Sequence, residues 1–359
     1  MQRFLIALMI VAFTSNGAYS QSWEELPQYV GDHKLSGELR NYGFEGLFDV
    51  VKFWEAGFRK QQRFVQYVDT SGSPAVAIGG LYTGVADIAV MGRIIWPVEV
   101  QAFHKVFGYE PLGIEVAGGS FDVQGKNFGM VIFVNKQNPI TKLTFRQLDG
   151  IFGEARNGGW QGMSWSPTAA RSANENIRTW GQLGLTGEWA DKPIHVYGND
   201  LTLNLGSMTF QSQVMQGGDK WNPAVVEFPL SEPGTGGPPP VTRGGDRQME
   251  ALAADPYGIA ITGMHLGRKS AQAKALALAA KDGGPYFEPT KETFINRTYP
   301  LAQSMWVYIN RAPGKPVEPK VKEFLKFILS REGQRIVSQD DGILPLPPNV
   351  VREQLKKLE

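Results

Sequence analysis

The chain has no cysteine. That excludes disulfides, thiolate metal sites and cysteine nucleophiles together. Histidine is scarce: His33, His104, His195 and His265 are the only four, scattered and never at HExxH-type spacing. A histidine-built metal centre is therefore not expected, and no metal or cofactor is assigned. Charge of one sign is not in excess either, with 36 Lys+Arg against 35 Asp+Glu and a net charge of +1. A nucleic-acid binder would show a basic surplus or stripe. No apolar run reaches the roughly 20 residues a membrane span needs. The run Phe4 to Phe13 is half that length, and the Ala/Leu-rich stretch from Ala271 to Ala280 is short and lies next to lysines. Also missing are a Gly-x-Ser-x-Gly nucleophile elbow, a phosphate-loop Gly-Lys-Ser/Thr and a dinucleotide-type glycine spacing after a strand. An enzyme reading has little to stand on.

What is present is a well-stocked globular chain. Of its 359 residues, 42% are apolar and 11% aromatic, which argues against disorder. That length exceeds what one core usually fills, so about two domains are expected. Residues 1–20 read as a secretory signal: Arg3 supplies the charge, Phe4 to Phe13 the apolar run, and Ala18-Tyr19-Ser20 the small residues of a cleavage site. Without a following cysteine there is no lipid anchor. The expected product is exported, periplasmic in a bacterium, and not inserted in the membrane.

Beyond the signal, strands and helices alternate, which predicts an α/β class. Gly37 to Tyr42 reads as a strand ending in the turn Gly43-Phe44-Glu45-Gly46. Leu47, Val50, Val51, Trp54 and Phe58 then recur at helical spacing. Phe64 to Val68 is a second strand, ended by Thr70-Ser71-Gly72-Ser73-Pro74, and a helix opens at Pro74. Ala86 to Met91 is a third strand. Further strands are expected at 127–134, 193–197, 257–261 and 305–309. Thr144, with Gln147 three residues on, caps a helix to Phe152. Residues 232–246, rich in Gly and Pro, read as a mobile loop. Pro319 to Leu329 is an amphipathic helix. Arg331 to Val337 continues helically, and Leu344-Pro345-Leu346-Pro347 enters an extended tail. Trp96, Trp160, Trp165 and Trp180 read as packing residues rather than a sugar-stacking platform.

Two strand-to-helix turns hold the candidate chemistry, Gly43-Phe44-Glu45 and Ser71-Gly72-Ser73. The first N–H groups of a helix lack internal partners and carry the positive end of its dipole. Two such turns at the carboxyl ends of parallel strands would form an anion site. Ser-Gly-Ser before a helix also serves as a plain cap. Asp87, in the apolar Ala86-Asp87-Ile88-Ala89, is either a ligand acceptor or a capping or salt-bridge residue. Arg93 is its possible partner or a ligand contact, and Glu99 is an alternative partner for Arg93.

Several ordered segments together resemble the periplasmic phosphate-binding proteins of ABC transporters. They are Thr70-Ser71-Gly72-Ser73; Leu81 to Ala89 followed by Met91-Gly92-Arg93; Asn138-Pro139-Ile140 with Leu143-Thr144 and Gln147 to Gly153; Tyr299-Pro300-Leu301; and Glu323 to Gln334 followed by Gly342 to Leu346. The resemblance spans roughly residues 35–348. It implies a two-lobed periplasmic binding protein fold of type II, each lobe a mixed sheet flanked by helices, joined by two crossing strands. Lobe one would be 35–124 plus 300–359, and lobe two 125–299. It also implies phosphate bound in the interlobe cleft, delivery to a membrane ABC permease, and a monomer.

The ligand residues that the resemblance implies are Gly43, Phe44, Thr70, Ser71, Gly72, Ser73, Asp87 and Arg93 in lobe one, with Asp87 accepting the proton of phosphate that sulfate lacks. Lobe two departs from the family pattern. Asn199 stands at the arginine position. Leu203-Asn204-Leu205 stands where Ser-Gly-Thr is usual, unless Gly206-Ser207 substitutes. Asn199, Thr202 and Asn204 are its candidates, and Arg171, Arg178 or Arg243 could replace the missing charge. These departures leave open another oxyanion, or a phosphorylated or carboxylated organic solute. An extracytoplasmic phosphatase and a sensor or adaptor are further alternatives.

Overall fold

The computed structural model describes residues 22–31, 34–72, 74–126, 129–199, 201, 205–228, 243–340 and 342–359. The expected signal at 1–20 lies outside them. Along the chain, β1 (Ser36–Phe44) passes through a single 3-10 turn, Glu45–Leu47, into α1 (Phe48–Arg59), β2 (Phe64–Gly72), α2 (Pro74–Tyr82), β3 (Ile88–Met91), α3 (Pro97–Phe107) and β4 (Leu112–Gly118). There follow β5 (Met130–Asn135), β6 (Lys142–Thr144), α4 (Phe145–Phe152), the hairpin β7 (Gly159–Gln161) and β8 (Ser164–Ser166), β9 (His195–Gly198), α5 (Leu205–Gln213) and β10 (Val226–Glu227). Next come α6 (Arg243–Ala254), β11 (Gly258–Gly263), α7 (Met264–Gly267), β12 (Ala273–Ala275), β13 (Ala277–Ala279) and α8 (Lys291–Ile295). The chain returns through β14 (Ser304–Ile309) to α9 (Pro319–Ile328), α10 (Arg331–Gln339) and α11 (Pro348–Lys356).

Two five-stranded mixed sheets organise these elements, in the orders β2-β1-β3-β14-β4 and β10-β9-β11-β5-β12. In the first, β1, β2 and β3 run parallel, and β14 is antiparallel to both its neighbours. In the second, β9, β10 and β11 run parallel and β5 opposes them. The α/β expectation and the two sheets flanked by helices are thus what the chain adopts. One face of the first sheet is covered by α1 and the C-terminal helices, the other by α2 and α3. The helical spacing read in the sequence is the buried stripe of α1: Val50, Val51, Trp54 and Phe58 are all out of solvent. Each such side chain contributes on the order of 1.5–3 kcal/mol by burial, and the Trp54 indole donates to the Gly333 carbonyl at 2.9 Å.

The chain crosses between the sheets twice, and the crossings hydrogen-bond to each other: Gly119 N–H to the Gln303 carbonyl at 2.7 Å, and Met130 N–H to that of Leu301 at 3.1 Å. Three expectations are corrected. β3 starts at Ile88, not Ala86, so Asp87 precedes the strand. Helix α6 starts at Arg243, so residues 243–246 of the segment expected to be a loop are helical, and 232–242 lie outside the described residues. The tail after Pro347 is the helix α11, with Pro348 at its favoured first turn.

Candidate functional site

The ligand end of an open α/β sheet lies at the carboxyl ends of its parallel strands, where helices open. In the first sheet β1 and β2 end side by side, with Gly43 beside Ser71 and Phe44 beside Gly72. The chain then enters the 3-10 turn and α1 from the one, and α2 from the other. Two sets of unpaired helix N–H groups therefore open next to each other, and their dipoles add for an anion. Gly43 is required here: a Cβ would come within 2.7 Å of the Val90 carbonyl on the neighbouring β3. Thr70 and Ser71 are exposed, Phe44 and Gly72 half-buried. Ser73 lies outside the described residues. The structure thus brings Gly43, Phe44, Thr70, Ser71 and Gly72 to one edge.

It does not bring Asp87 there. Asp87 stands at the opposite, amino end of β3, and its carboxylate is spent on Arg40. The Arg40 N–H donates to Oδ2 at 2.8 Å, its Nη2 to Oδ1 at 2.6 Å and its Nε to Oδ2 at 3.2 Å. Burial opposes ionisation, but the Arg40 contacts outweigh it and hold the Asp87 carboxyl below the usual range. Asp87 is a salt-bridge residue, so the reading of it as proton acceptor is withdrawn. Arg93 is also spoken for. Its fully buried guanidinium donates to both Glu99 oxygens, at 2.7 and 2.6 Å, and lies over the Trp96 ring at 3.6 Å. Glu99, not Asp87, is its partner.

In the second sheet, β9 ends at Gly198, with Asn199 next. Asn199 is buried, and its Nδ2 donates to Gln248 Oε1 on α6 at 3.1 Å. Its orientation follows from Gln248, whose amide nitrogen is fixed by two carbonyls, Tyr197 at 3.0 Å and Ile261 at 3.1 Å. Gln248 can only accept from Asn199, so Asn199 Oδ1 faces the other way, buried and without a hydrogen-bond partner among the described residues. Ser207, in the first turn of α5, donates to the Asn199 carbonyl at 3.1 Å. Ser207 and Gln248 are the residues the sequence reading undervalued. Ser207 was visible as a slipped match, whereas Gln248 comes from a helix 49 positions away and carried no local signal. Thr202 and Asn204 lie outside the described residues.

Neither Arg171 nor Arg178 replaces the missing charge beside Asn199. Both lie by the carboxyl end of α4. Arg178 donates to the Gly150 and Gly153 carbonyls at 2.7 and 3.0 Å and to Glu154 at 2.9 Å. Glu154 is driven down to about 2 by the Ala155 N–H first, then Asn176 and Arg178. Arg243 is the first residue of α6.

A pair of mixed sheets, crossed twice by the chain and presenting helix N-termini at parallel strand ends, defines a two-lobed solute-binding protein. The comparisons agree. Residues 65–332 match the PBP superfamily domain. The phosphate-binding protein PstS of Pseudomonas aeruginosa is 31% identical over 361 residues, covering 100% of this chain and 99% of that one. Protein SphX of Synechococcus elongatus is 26% identical over 268 residues, 74% of this chain and 64% of that protein. Among solved structures, PstS from Borrelia burgdorferi aligns with a TM-score of 0.55 at 15% identity, over 87% of this chain and 99% of that one. An ABC-type phosphate transport receptor from Vibrio cholerae aligns at 0.52 and 17% identity, over 86% and 100%. The chain belongs to the PBP superfamily and, within it, to the family of PstS phosphate-binding proteins.

Proposed function

We propose that the protein captures phosphate in the cleft between its two lobes and hands it to a membrane ABC permease, acting as a receptor rather than an enzyme. The observation that carries this is the register of β1 and β2, which opens two helix N-termini side by side at Phe44 and Gly72. Family membership agrees with it. We take lobe one as residues 35–124 plus 300–359 and lobe two as 125–299. The expected form is a monomeric, periplasmic protein released by cleavage of a signal at 1–20. No helix among the described residues is long and apolar enough to cross a membrane.

With Asp87 removed from the site, selectivity for phosphate needs another acceptor. Asn199 Oδ1 is the group left over at the ligand end of β9. A protonated phosphate oxygen can donate to it, and sulfate, which has no proton at neutral pH, cannot. Calorimetric titration with phosphate and sulfate tests both points. Phosphate binding with little response to sulfate is expected. Asn199→Leu should weaken phosphate binding by about tenfold, the worth of one hydrogen bond in a closed site. Absence of heat with phosphate would remove it as the ligand. A selectivity unchanged in Asn199→Leu would remove Asn199 from the mechanism.

A further inference from the structure

Charge balances over the whole chain, at +1, but not along it. From Val50 to Val68 the cations are Lys52, Arg59, Lys60 and Arg63, and the only acid before Asp69 is Glu55. Glu55 is buried and, with Asp69, takes up Lys52. Arg59, Lys60 and Arg63 are exposed and form no ion pair among the described residues. They stand where α1 ends and the chain turns into β2. Lys34, likewise exposed and without an ion pair there, joins them. The N–H of its neighbour Leu35 donates to Gln62 Oε1 at 3.0 Å, and Ser36 lies beside Phe64 in the β1–β2 register. Glu38, further along β1, acts on Arg40 of the same strand face. Four cations thus share one end of the first sheet.

Two large apolar side chains stand among these charges. Phe64 is 57% exposed and Phe53 is 53% exposed. Phe53 and Lys60 are seven positions apart at helical spacing, so they share the outer face of α1. The Arg63 guanidinium lies over the Phe64 ring, 4.7 Å from its centroid, so charge and ring are presented together. Rings exposed to this degree project from the surface rather than line a groove. Unpaired cations select an anionic partner, and projecting rings select a fluid surface over a shaped one. The headgroup layer of an anionic membrane meets both conditions: its phosphates face the cations, and the rings pass between them to the acyl boundary.

We propose that Lys34, Arg59, Lys60 and Arg63, with Phe53 and Phe64, form a peripheral docking surface for an anionic lipid membrane. Phe64 opens β2 and Gly72 ends it, so the strand sets this surface about 26 Å from the anion edge. Docked there, the protein keeps the ligand end of the first sheet turned toward solution. Four cations and two rings give a reversible contact, which holds the receptor near the membrane between deliveries without inserting it. The proposal is independent of the phosphate reading, because its readout is vesicle binding.

The experiment is co-sedimentation of the mature protein proposed above, residues 21–359, with lipid vesicles. The vesicles are phosphatidylcholine alone or with about one third phosphatidylglycerol, at low and at high salt. Binding is expected on the anionic vesicles and should fall steeply at high salt. Arg59→Gln, Lys60→Gln and Arg63→Gln together should lower the partition about a hundredfold, since each cation near such a surface contributes roughly fivefold. Phe64→Ser should lower it by about tenfold, through the ring that no longer leaves water. All four positions are exposed, and a wild-type unfolding temperature in each variant separates loss of docking from loss of the fold. Three outcomes would overturn the proposal: no binding of the wild type to anionic vesicles, or equal binding to both kinds; binding that survives the triple replacement; or binding that the triple replacement removes and Phe64→Ser leaves untouched, which would make the patch a site for any polyanion.

Discussion

Single residues are where local context and tertiary partners compete. Asp87 sits beside an apolar strand, which suggested a buried acceptor, yet Arg40, 47 positions earlier, claims the carboxylate. Asp87→Ala is therefore expected to leave phosphate affinity within about twofold and to cost about 1 kcal/mol in urea unfolding, the worth of a partly exposed bridge with one backbone contact. A large loss of affinity would return Asp87 to the binding site. Glu55 makes a different point. It is buried on α1 beside Asp69, and Lys52 pairs with both acids. Burial first, then Asp69, push its carboxyl up from 4.5 to about 7. A carboxyl raised in the native state binds a proton there that the unfolded chain releases. Its stabilisation is complete below pH 4.5 and is lost as pH rises toward about 7. Glu55→Gln should therefore flatten the decline of unfolding temperature across that window. Parallel curves for the two proteins would show that Glu55 titrates normally.

At the scale of elements, local sequence codes were reliable wherever both partners sit within one turn. The Thr144–Gln147 capping box is formed in both directions: Gln147 N–H to Thr144 Oγ1 at 3.2 Å, and Thr144 N–H to Gln147 Oε1 at 2.9 Å. Thr144→Ala should cost about 1 kcal/mol, and Thr144→Ser should restore most of it, measured by denaturant unfolding. Strand limits were less legible. β2 continues to Gly72, into the Thr70-Ser71-Gly72-Ser73-Pro74 segment expected to end it, because it pairs with β1 along its whole length. Those extra residues carry Ser71 and Gly72 to the ligand edge. Tertiary pairing, not β-propensity, extends the strand.

For the whole molecule, the two crossings are what join the sheets, and long-range pairs fasten them. Arg297, at a left-handed φ of 65°, donates to the Gln303 carbonyl at 2.8 Å and to Glu115 of β4 at 2.5 Å. It ties the segment after α8 to β4 of the first sheet. Desolvation lowers its pKa and Glu115 opposes that, so the pair depends on both members. Glu115→Ala should destabilise the protein by about 3 kcal/mol, the cost of stranding a largely buried charge. Replacing both residues, as Glu115→Leu with Arg297→Met, should recover part of the loss. A single variant with unchanged unfolding would show that the Arg297–Glu115 pair does not hold the crossing.

Composition, the order of strands and helices, the helix caps and the family resemblance were all legible in the chain, because each depends on neighbours within a few residues or on an ordered set of short segments. Gly43, Phe44, Ser71 and Gly72 could be named for the same reason: a turn into a helix is a local event. Which charges meet which is not local. Arg40 with Asp87, Asn199 with Gln248 and Arg297 with Glu115 join positions 47, 49 and 182 residues apart. Only the packed sheets decide those pairs, and with them which end of a strand an acid occupies. Burial makes an unpaired charge expensive, so the fold, rather than the spacing along the chain, selects the partners.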